Sequence, residues 1–198
     1  MKVGVLALQG DVREHLAVLS SLGVAGVEVR GTDELAAVDA LVIPGGESTT
    51  IGRLATVYNL IDPMRERIVA GMPALGTCAG LIFLSSATVD RDQPQLGVLD
   101  AVVRRNAFGR QVDSFEQDLE VVGWDRRMHA VFIRAPWIEK VGAEVEVLAS
   151  VPDARDGVER PVFVRQRHVL ATSFHPELTG DTRVHRMLVE SIPKVEER

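Results

Sequence analysis

Ala74-Leu75-Gly76-Thr77-Cys78-Ala79-Gly80-Leu81-Ile82-Phe83-Leu84 is the stretch on which the fold turns. Ala74-Leu75-Gly76 reads as a short buried strand, and a helix is expected from Gly80 to Ser86. Gly76-x-Cys78-x-Gly80 lies between them, the same shape as the G-x-S-x-G nucleophile elbow. A sharp strand-to-helix turn holds its nucleophile in strained dihedrals and tolerates only small neighbours. The N–H groups that follow face a developing oxyanion, and a helix N-terminus favours negative charge there. A lone cysteine is more often an inert core thiol, but the flanking glycines argue against that reading here.

Upstream, the same alternation repeats. Val3–Leu8, Val27–Val29 and Ala40–Ile43 read as short buried strands. Gly10-Asp11 breaks the first and can cap a helix carrying Val12, Leu16, Leu19 and Leu22, which Gly23 ends. A helix should follow Ser48-Thr49-Thr50 and run to Gly71, with a break at Pro63. This βαβα order predicts an α/β fold, a three-layer sandwich around a mostly parallel sheet with helices on both faces.

Downstream, 96–103, 119–122, 130–133, 145–150, 161–164 and 169–173 read as short strands with few helices between them, so antiparallel additions to the sheet are expected. A last helix over 181–191 carries Val184, Leu188 and Ile192 on one face. Residues 193–198 form a charged tail expected to fray. Nothing resembles a linker, so one domain over 1–198 is expected.

Composition narrows the function classes. The 198 residues carry 22 Lys and Arg against 28 Asp and Glu, a net charge of −6, which disfavours nucleic acid and anionic membranes as partners. The single cysteine, Cys78, excludes an intrachain disulfide and any multi-cysteine zinc site. A lone thiol suits the reducing cytoplasm. No run approaches a membrane span, and the N-terminal apolar run is too short for a signal peptide.

A thiol nucleophile needs a base. His15 and His185 fall in expected helices, and His129 and His168 lie near turns with no acidic neighbour at useful spacing. His175 differs, in Ser173-Phe174-His175-Pro176-Glu177 just after an expected strand. In extended backbone, residues two apart face the same side, so Glu177 can orient the His175 imidazole. Gly45-Gly46-Glu47-Ser48-Thr49 opens a helix but lacks the G-K-[ST] ending of a phosphate loop, so a nucleotide site is disfavoured. Its glycines would let a backbone N–H approach a substrate carbonyl. Arg104, Arg105, Arg110 and Arg134 are candidate cations for an acidic substrate, and the residues alone do not choose among them.

Together these residues resemble the class I glutamine amidotransferase domain, with a cysteine elbow followed much later by H-x-E. Leu8-Gln9-Gly10, Pro44–Thr49, Arg105–Glu116, Phe132–Pro136 and Ser173–Thr179 narrow the resemblance to the glutaminase subunits of two-protein pyridoxal 5′-phosphate synthases, over about Val3 to Leu188. The resemblance implies a flavodoxin-like fold and a Cys78, His175, Glu177 triad. It implies Gly46 and Ala79 as oxyanion donors, and Gly46, Glu47, Ser48, Arg105, Ile133 and Arg134 around L-glutamine. Gln9 and Gly10 match a loop near the site and the partner interface. Ammonia would pass to a (β/α)₈-barrel synthase subunit in a large hetero-oligomer, with no metal and no organic cofactor in the glutaminase step. Pro152–Arg160 is longer and more charged than the family pattern and reads as a surface hairpin.

Two rivals differ in class. Another cysteine hydrolase would act on esters or peptides without a partner, and leaves Arg105–Glu116 unexplained. A degenerate scaffold would usually have lost a triad member, yet all three are present.

Overall fold

The computed structural model describes residues 1–89, 92–105, 114–153 and 156–193. The first half runs β1 (Lys2–Leu6), α1 (Val12–Ser21), β2 (Ala25–Val29), α2 (Thr32–Ala36), β3 (Ala40–Ile43), α3 (Ser48–Val57), α4 (Ile61–Val69), β4 (Ala74–Thr77) and α5 (Ala79–Leu84). Then come β5 (Ser85–Thr88), β6 (Leu99–Arg104), β7 (Ser114–Leu119), β8 (Met128–Ile133), β9 (Trp137–Val141), β10 (Glu146–Pro152), β11 (Glu159–Gln166) and β12 (Val169–Thr172). A 3-10 turn, Pro176–Leu178, and α6 (Arg183–Glu190) follow.

The central sheet has seven strands in the order β10-β11-β12-β4-β3-β1-β2. β2, β1, β3, β4 and β12 pair parallel, and β11 and β10 add antiparallel at one edge. The parallel part has the flavodoxin-like order, whose direction of winding reverses between β1 and β3. A crevice opens there at the carboxyl ends of the strands. The loops after β1, β3, β4 and β12 all leave from that end.

Strand alternation sets the layers. Val3 and Val5 of β1, with Ala40 and Val42 of β3, pack with Leu19 of α1, Val184 and Leu188 of α6, and Phe132 of β8. Leu6, Leu41 and Ile43 face the other way, onto Leu35, Ile51, Met64 and Leu81 of α2 to α5 and Leu99 of β6. Both faces are therefore covered, which is why these strands read as unbroken apolar runs. Each fully buried Val, Leu or Ile contributes about 1.5–3 kcal/mol.

Several local expectations need correction. β1 ends at Leu6, and Ala7 and Leu8 lie in the turn. The long helix breaks at Tyr58-Asn59-Leu60, where Asn59 has φ +54°, and not at Pro63. Pro63 sits in the first turn of α4, where its missing N–H has no intrahelical partner to lose. The strand expected at 119–122 is β7, ending at Leu119. Its exposed residues Ser114, Glu116 and Asp118 alternate with inward ones and mask the period in sequence. Among the described residues, only β10 and β11 join the central sheet as antiparallel strands. β5-β6-β9 and β7-β8 form two separate small sheets. Pro152–Arg160 spans the β10–β11 hairpin, with Asp153 N–H donating to Val158 O at 2.9 Å. Residues 154 and 155 of that stretch, 106–113 of the Arg105–Glu116 block and 194–198 of the tail lie outside the described residues.

Candidate active site

The turn between β4 and α5 puts Cys78 at φ +50°, ψ −101°. Such backbone costs about 1–3 kcal/mol in a residue with a Cβ. The two glycines make it possible. A Cβ on Gly80 would collide with the Ile43 carbonyl oxygen, and one on Gly76 would lie 2.6 Å from the Gly80 carbonyl and from Leu84 Cδ1. Cys78 N–H donates to Thr172 O at 2.8 Å, carrying the β4–β12 pairing into the turn.

His175 arrives from the end of β12. Its N–H donates to Val131 O at 2.9 Å, tying it to β8. Phe174 beneath it packs edge-on against Phe132 and Phe163, at 5.6 and 6.1 Å between ring centroids. The imidazole is thereby anchored to the core. His175 Nδ1 lies 2.7 Å from Glu177 Oε1 and 3.4 Å from Asp11 Oδ2. Carboxylates only accept, so Nδ1 donates and Nε2 is the nitrogen left for Cys78, whose Sγ lies 3.9 Å from Ile133 O. The carboxylate reaches the ring through the 3-10 turn Pro176–Leu178, not through the strand alternation expected from sequence. Burial opposes the charged imidazole, but hydrogen bonds with Asp11, Cys78 and Glu177 outweigh it, and His175 is pushed up to about 12. Burial raises Glu177, against the pull of the His175 charge.

A cavity of about 360 Å³ opens in front of this constellation. Cys78, His175, Gly46, Glu47, Ser48, Ala79, Arg105, Ile133, Arg134 and Gln9 all line it, and Glu177 lies behind His175. Gln9 Oε1 accepts the Glu47 N–H at 2.7 Å. A Cβ on Gly46 would fall 2.5 Å from that same oxygen, and one on Gly10 would collide with Gly45 O. These contacts lock the β1 and β3 loops together. Arg134 holds φ +46° at the cavity rim. A larger, shallower groove of about 630 Å³, along Val121, Trp124 and Ala149, lacks both thiol and imidazole.

The structure sorts the candidate arginines. Arg105 donates to Glu47 Oε1 at 2.6 Å and to Gln93 Oε1 at 3.2 Å. Arg104 instead pairs with Glu139. Arg110 lies outside the described residues. Glu47 also caps α3, accepting from Thr50 N–H at 2.9 Å. Burial would raise its carboxyl, but hydrogen bonds from Thr49 and Thr50 and the Arg105 charge hold it below the usual range.

Three residues escaped the sequence reading. Asp11 is the N-cap of α1 but makes no side-chain cap bond there. Its carboxylate turns to His175 instead. Gln93 links Arg105 to Ser48, whose hydroxyl donates to Gln93 Oε1 at 3.2 Å; no sequence pattern marks it. His15 is wholly buried, 3.6 Å from Glu177 Oε1. His129, read as lacking acidic neighbours, lies exposed between Asp118 and Glu116 across the β7–β8 pair. That proximity comes from pairing register, which sequence distance hides. Among the described residues, Asp11, His175 and Glu177 have donor atoms close enough to share a cation. Glu177 Oε1 and Asp11 Oδ2 both face His175 Nδ1, so the group reads as an oriented imidazole. No helix among the described residues is long and apolar enough to cross a membrane.

The sequence matches the profile of the SNO glutamine amidotransferase family over residues 5–194. The chain belongs to the SNO glutamine amidotransferase family. A pyridoxal 5′-phosphate synthase subunit PdxT from Frankia alni is 59% identical over 194 residues, covering 96% of this chain and 94% of the relative. The subunit of the same name from Mycobacteroides abscessus is 57% identical over 192 residues, 96% of each. A crystal structure of a glutamine amidotransferase superposes with a TM-score of 0.89 at 54% identity, covering 96% of this chain and 98% of its own. PurLQS from Thermotoga maritima, 16% identical, shares the fold with a TM-score of 0.71 over 97% of this chain and 98% of its own. The class I glutamine amidotransferase fold that the resemblance implies is the fold of this family member.

Proposed function

We propose that the chain is the glutaminase subunit of a pyridoxal 5′-phosphate synthase, a single domain that hydrolyses L-glutamine and delivers ammonia to a synthase partner. The observation that carries the reading is the 2.7 Å contact from Glu177 to His175 Nδ1, which leaves the other imidazole nitrogen for Cys78 in one cavity. The identity to PdxT subunits across nearly the whole chain supports the synthase assignment.

In this mechanism Cys78 sulfur attacks the side-chain amide carbon of glutamine while His175 holds the thiol proton. The N–H groups of Gly46 and Ala79 stabilise the tetrahedral oxyanion; losing one such donor costs about 10²–10³ in rate. His175 gives its proton to the leaving nitrogen, and ammonia departs from a γ-glutamyl thioester. Water, deprotonated by His175, opens the thioester, and glutamate leaves as the proton returns to Cys78. Glu47, Ser48, Arg105, Ile133 and Arg134 hold the amino-acid end, with Arg105 on the carboxylate. The step uses no metal or organic cofactor. Gln9 and Gly10 form the loop coupled to a (β/α)₈-barrel partner in a hetero-oligomer, and a catalytic thiol suits the reducing cytoplasm.

The test is glutamate release from glutamine by wild type and Cys78→Ala, with and without the synthase subunit from the same source. Partner-dependent release that the variant loses is the expected result. Release that survives Cys78→Ala would overturn the mechanism.

A further inference from the structure

Behind the triad lies a buried pair of histidines that the hydrolysis does not use. His15 of α1 and His185 of α6 are both wholly buried. His15 Nδ1 and His185 Nε2 are 2.8 Å apart. The other edge of His15 faces the site: its Nε2 is 3.2 Å from Thr77 Oγ1 and 3.6 Å from Glu177 Oε1. Thr77 precedes Cys78 in the chain, so one imidazole touches both the elbow and the carboxylate behind His175.

We propose that the His15–His185 pair is a positioning element of the site, fixing the Glu177 carboxylate and, through Thr77, the Cys78 elbow in register with His175. This rests on the Cys78, His175, Glu177 reading above.

The tautomers decide which way the pair points. In one arrangement His15 donates from Nδ1 to His185. Its Nε2 then turns a lone pair toward the Glu177 carboxylate, and His185 must carry its proton on Nδ1, which has no partner. A repulsive contact and a buried orphan N–H result together. In the other arrangement His185 Nε2–H donates to His15 Nδ1, and His15 Nε2–H points at Thr77 Oγ1 and Glu177 Oε1. The orphan at His185 Nδ1 is then only a lone pair. The second arrangement is favoured, and it aims an N–H at the carboxylate. Glu177 Oε2 is buried without a partner, so the carboxylate is held through Oε1, where His175 Nδ1 stands at 2.7 Å and His15 Nε2 at 3.6 Å.

The other titratable groups facing Glu177 are His175 and Asp11. Burial lowers both histidines of the pair, and for His15 the charges of His185 and His175 add to this. The pair therefore donates without bringing in a competing charge. Apolar side chains would fill the α1–α6 contact without this desolvation cost, so simple packing does not explain two imidazoles there.

The test uses the chain with its synthase partner for glutaminase kinetics. The isolated chain serves for the pH profile of Cys78 alkylation by iodoacetamide. His15→Leu should lower kcat about 10–100-fold with KM for glutamine within twofold, and should shift the alkylation profile. His15→Gln, whose amide N–H can reach toward the same carboxylate, should restore most of the loss. His185→Leu, one residue further from Glu177, should shift the profile the same way by less, and carries the test if His15→Leu does not fold. Equal impairment in His15→Leu and His15→Gln, or an unshifted profile in both leucine variants, overturns the proposal. His175→Asn is the control. If it leaves the alkylation profile unchanged, the triad reading itself fails, separately from the role of the pair.

Discussion

Glu177→Gln keeps the shape beside His175 and removes the charge. Glu177 Oε1 stands 2.7 Å from His175 Nδ1, and Asp11 Oδ2 stands 3.4 Å from the same nitrogen. Coulomb attraction falls as the inverse of distance, so Asp11 retains about four-fifths of the pull by geometry alone. Its side chain is 39% exposed, which weakens that share through solvent screening. In a serine-protease triad the corresponding aspartate-to-asparagine exchange lowers kcat by about 10⁴ through the wrong tautomer. Here Asp11 still accepts the Nδ1 proton in the variant, so the expected loss is about 10²–10³, or about 2.7–4 kcal/mol of barrier. Asp11→Asn alone should cost less than about tenfold, and the double variant should approach 10⁴. The assay is glutamate release at saturating glutamine in the complex with the synthase subunit, so that kcat is read and not binding. A Glu177→Gln loss of 10⁴ that Asp11→Asn does not deepen would refute the second carboxylate. Activity within threefold of wild type would remove Glu177 from the mechanism.

Arg105→Ala removes a charge-assisted partner worth about 1.5–3 kcal/mol and leaves Glu47 facing the cavity, so KM for glutamine should rise about 10–100-fold with a smaller change in kcat. An unchanged KM would sink its assignment to the carboxylate. Gly80→Ala drives a Cβ into the Ile43 carbonyl; it should destabilise the fold by about 1–3 kcal/mol or more in urea, and a loss near zero would show that the elbow can shift. Stability should also fall with acid. His185 is held at about 4 when folded against 6.5 when exposed, so between these values the unfolded chain binds the extra proton and folding weakens as pH drops. From pH 6.5 to 5 this amounts to about 2 kcal/mol for His185, and the lowered His15 acts in the same direction. His175, raised to about 12, stays protonated in the fold while the unfolded imidazole titrates at 6.5, so it opposes the acid loss near pH 6.5 and above and gives little slope once both states are protonated, well below 6.5. Its contribution is present below pH 6.5 and is lost as pH rises toward 12. The raised Glu177 carboxyl partly offsets the acid loss. Urea unfolding of wild type and His185→Leu at pH 6, 5.5 and 5 reads the pair, and a variant profile as steep as that of wild type would refute the buried neutral pair.

The fold was legible where burial is two-sided. β3 and β4 sit in the middle of the sheet, read as continuous apolar runs, and end at glycine-marked turns. The hairpins were less legible because one face of each strand meets solvent. In β7, exposed Ser114, Glu116 and Asp118 interleave with inward residues, and the apolar pair Val121-Val122 lies beyond the strand end. β9 and the short α2 were not anticipated at all. In the site, Cys78, His175 and Glu177 stood out because the proposed nucleophile and base follow strands and carry neighbours of restricted shape. Asp11 was legible only as a helix cap, since nothing local says that the loop after β1 folds back under the loop after β12. Gln93 and His15 are joined to the site by tertiary contact alone, across 12 residues to Arg105 and 62 to Thr77.

Several of this molecule's local costs meet at one end of the sheet, while Asn59 and Arg167 hold positive φ in turns elsewhere. Cys78 and Arg134 hold positive φ, and Ser173 Oγ and Glu177 Oε2 are buried without partners. Each such feature opposes folding by about 1–3 kcal/mol. They are tolerable because the residues between them belong to the packed interior. Thr77 and Thr172 are the last paired residues of β4 and β12, and Phe174 is wedged between Phe132 and Phe163. The strained atoms are therefore held by strands and aromatic packing, not by their own loops. Relaxing Cys78 would mean breaking the Cys78–Thr172 hydrogen bond, and moving His175 would mean opening the Phe174 contact and its bond to Val131. The site stays poised because each escape from strain costs core structure, and that coupling fixes an imidazole, a thiol and a carboxylate drawn from two distant segments of the chain.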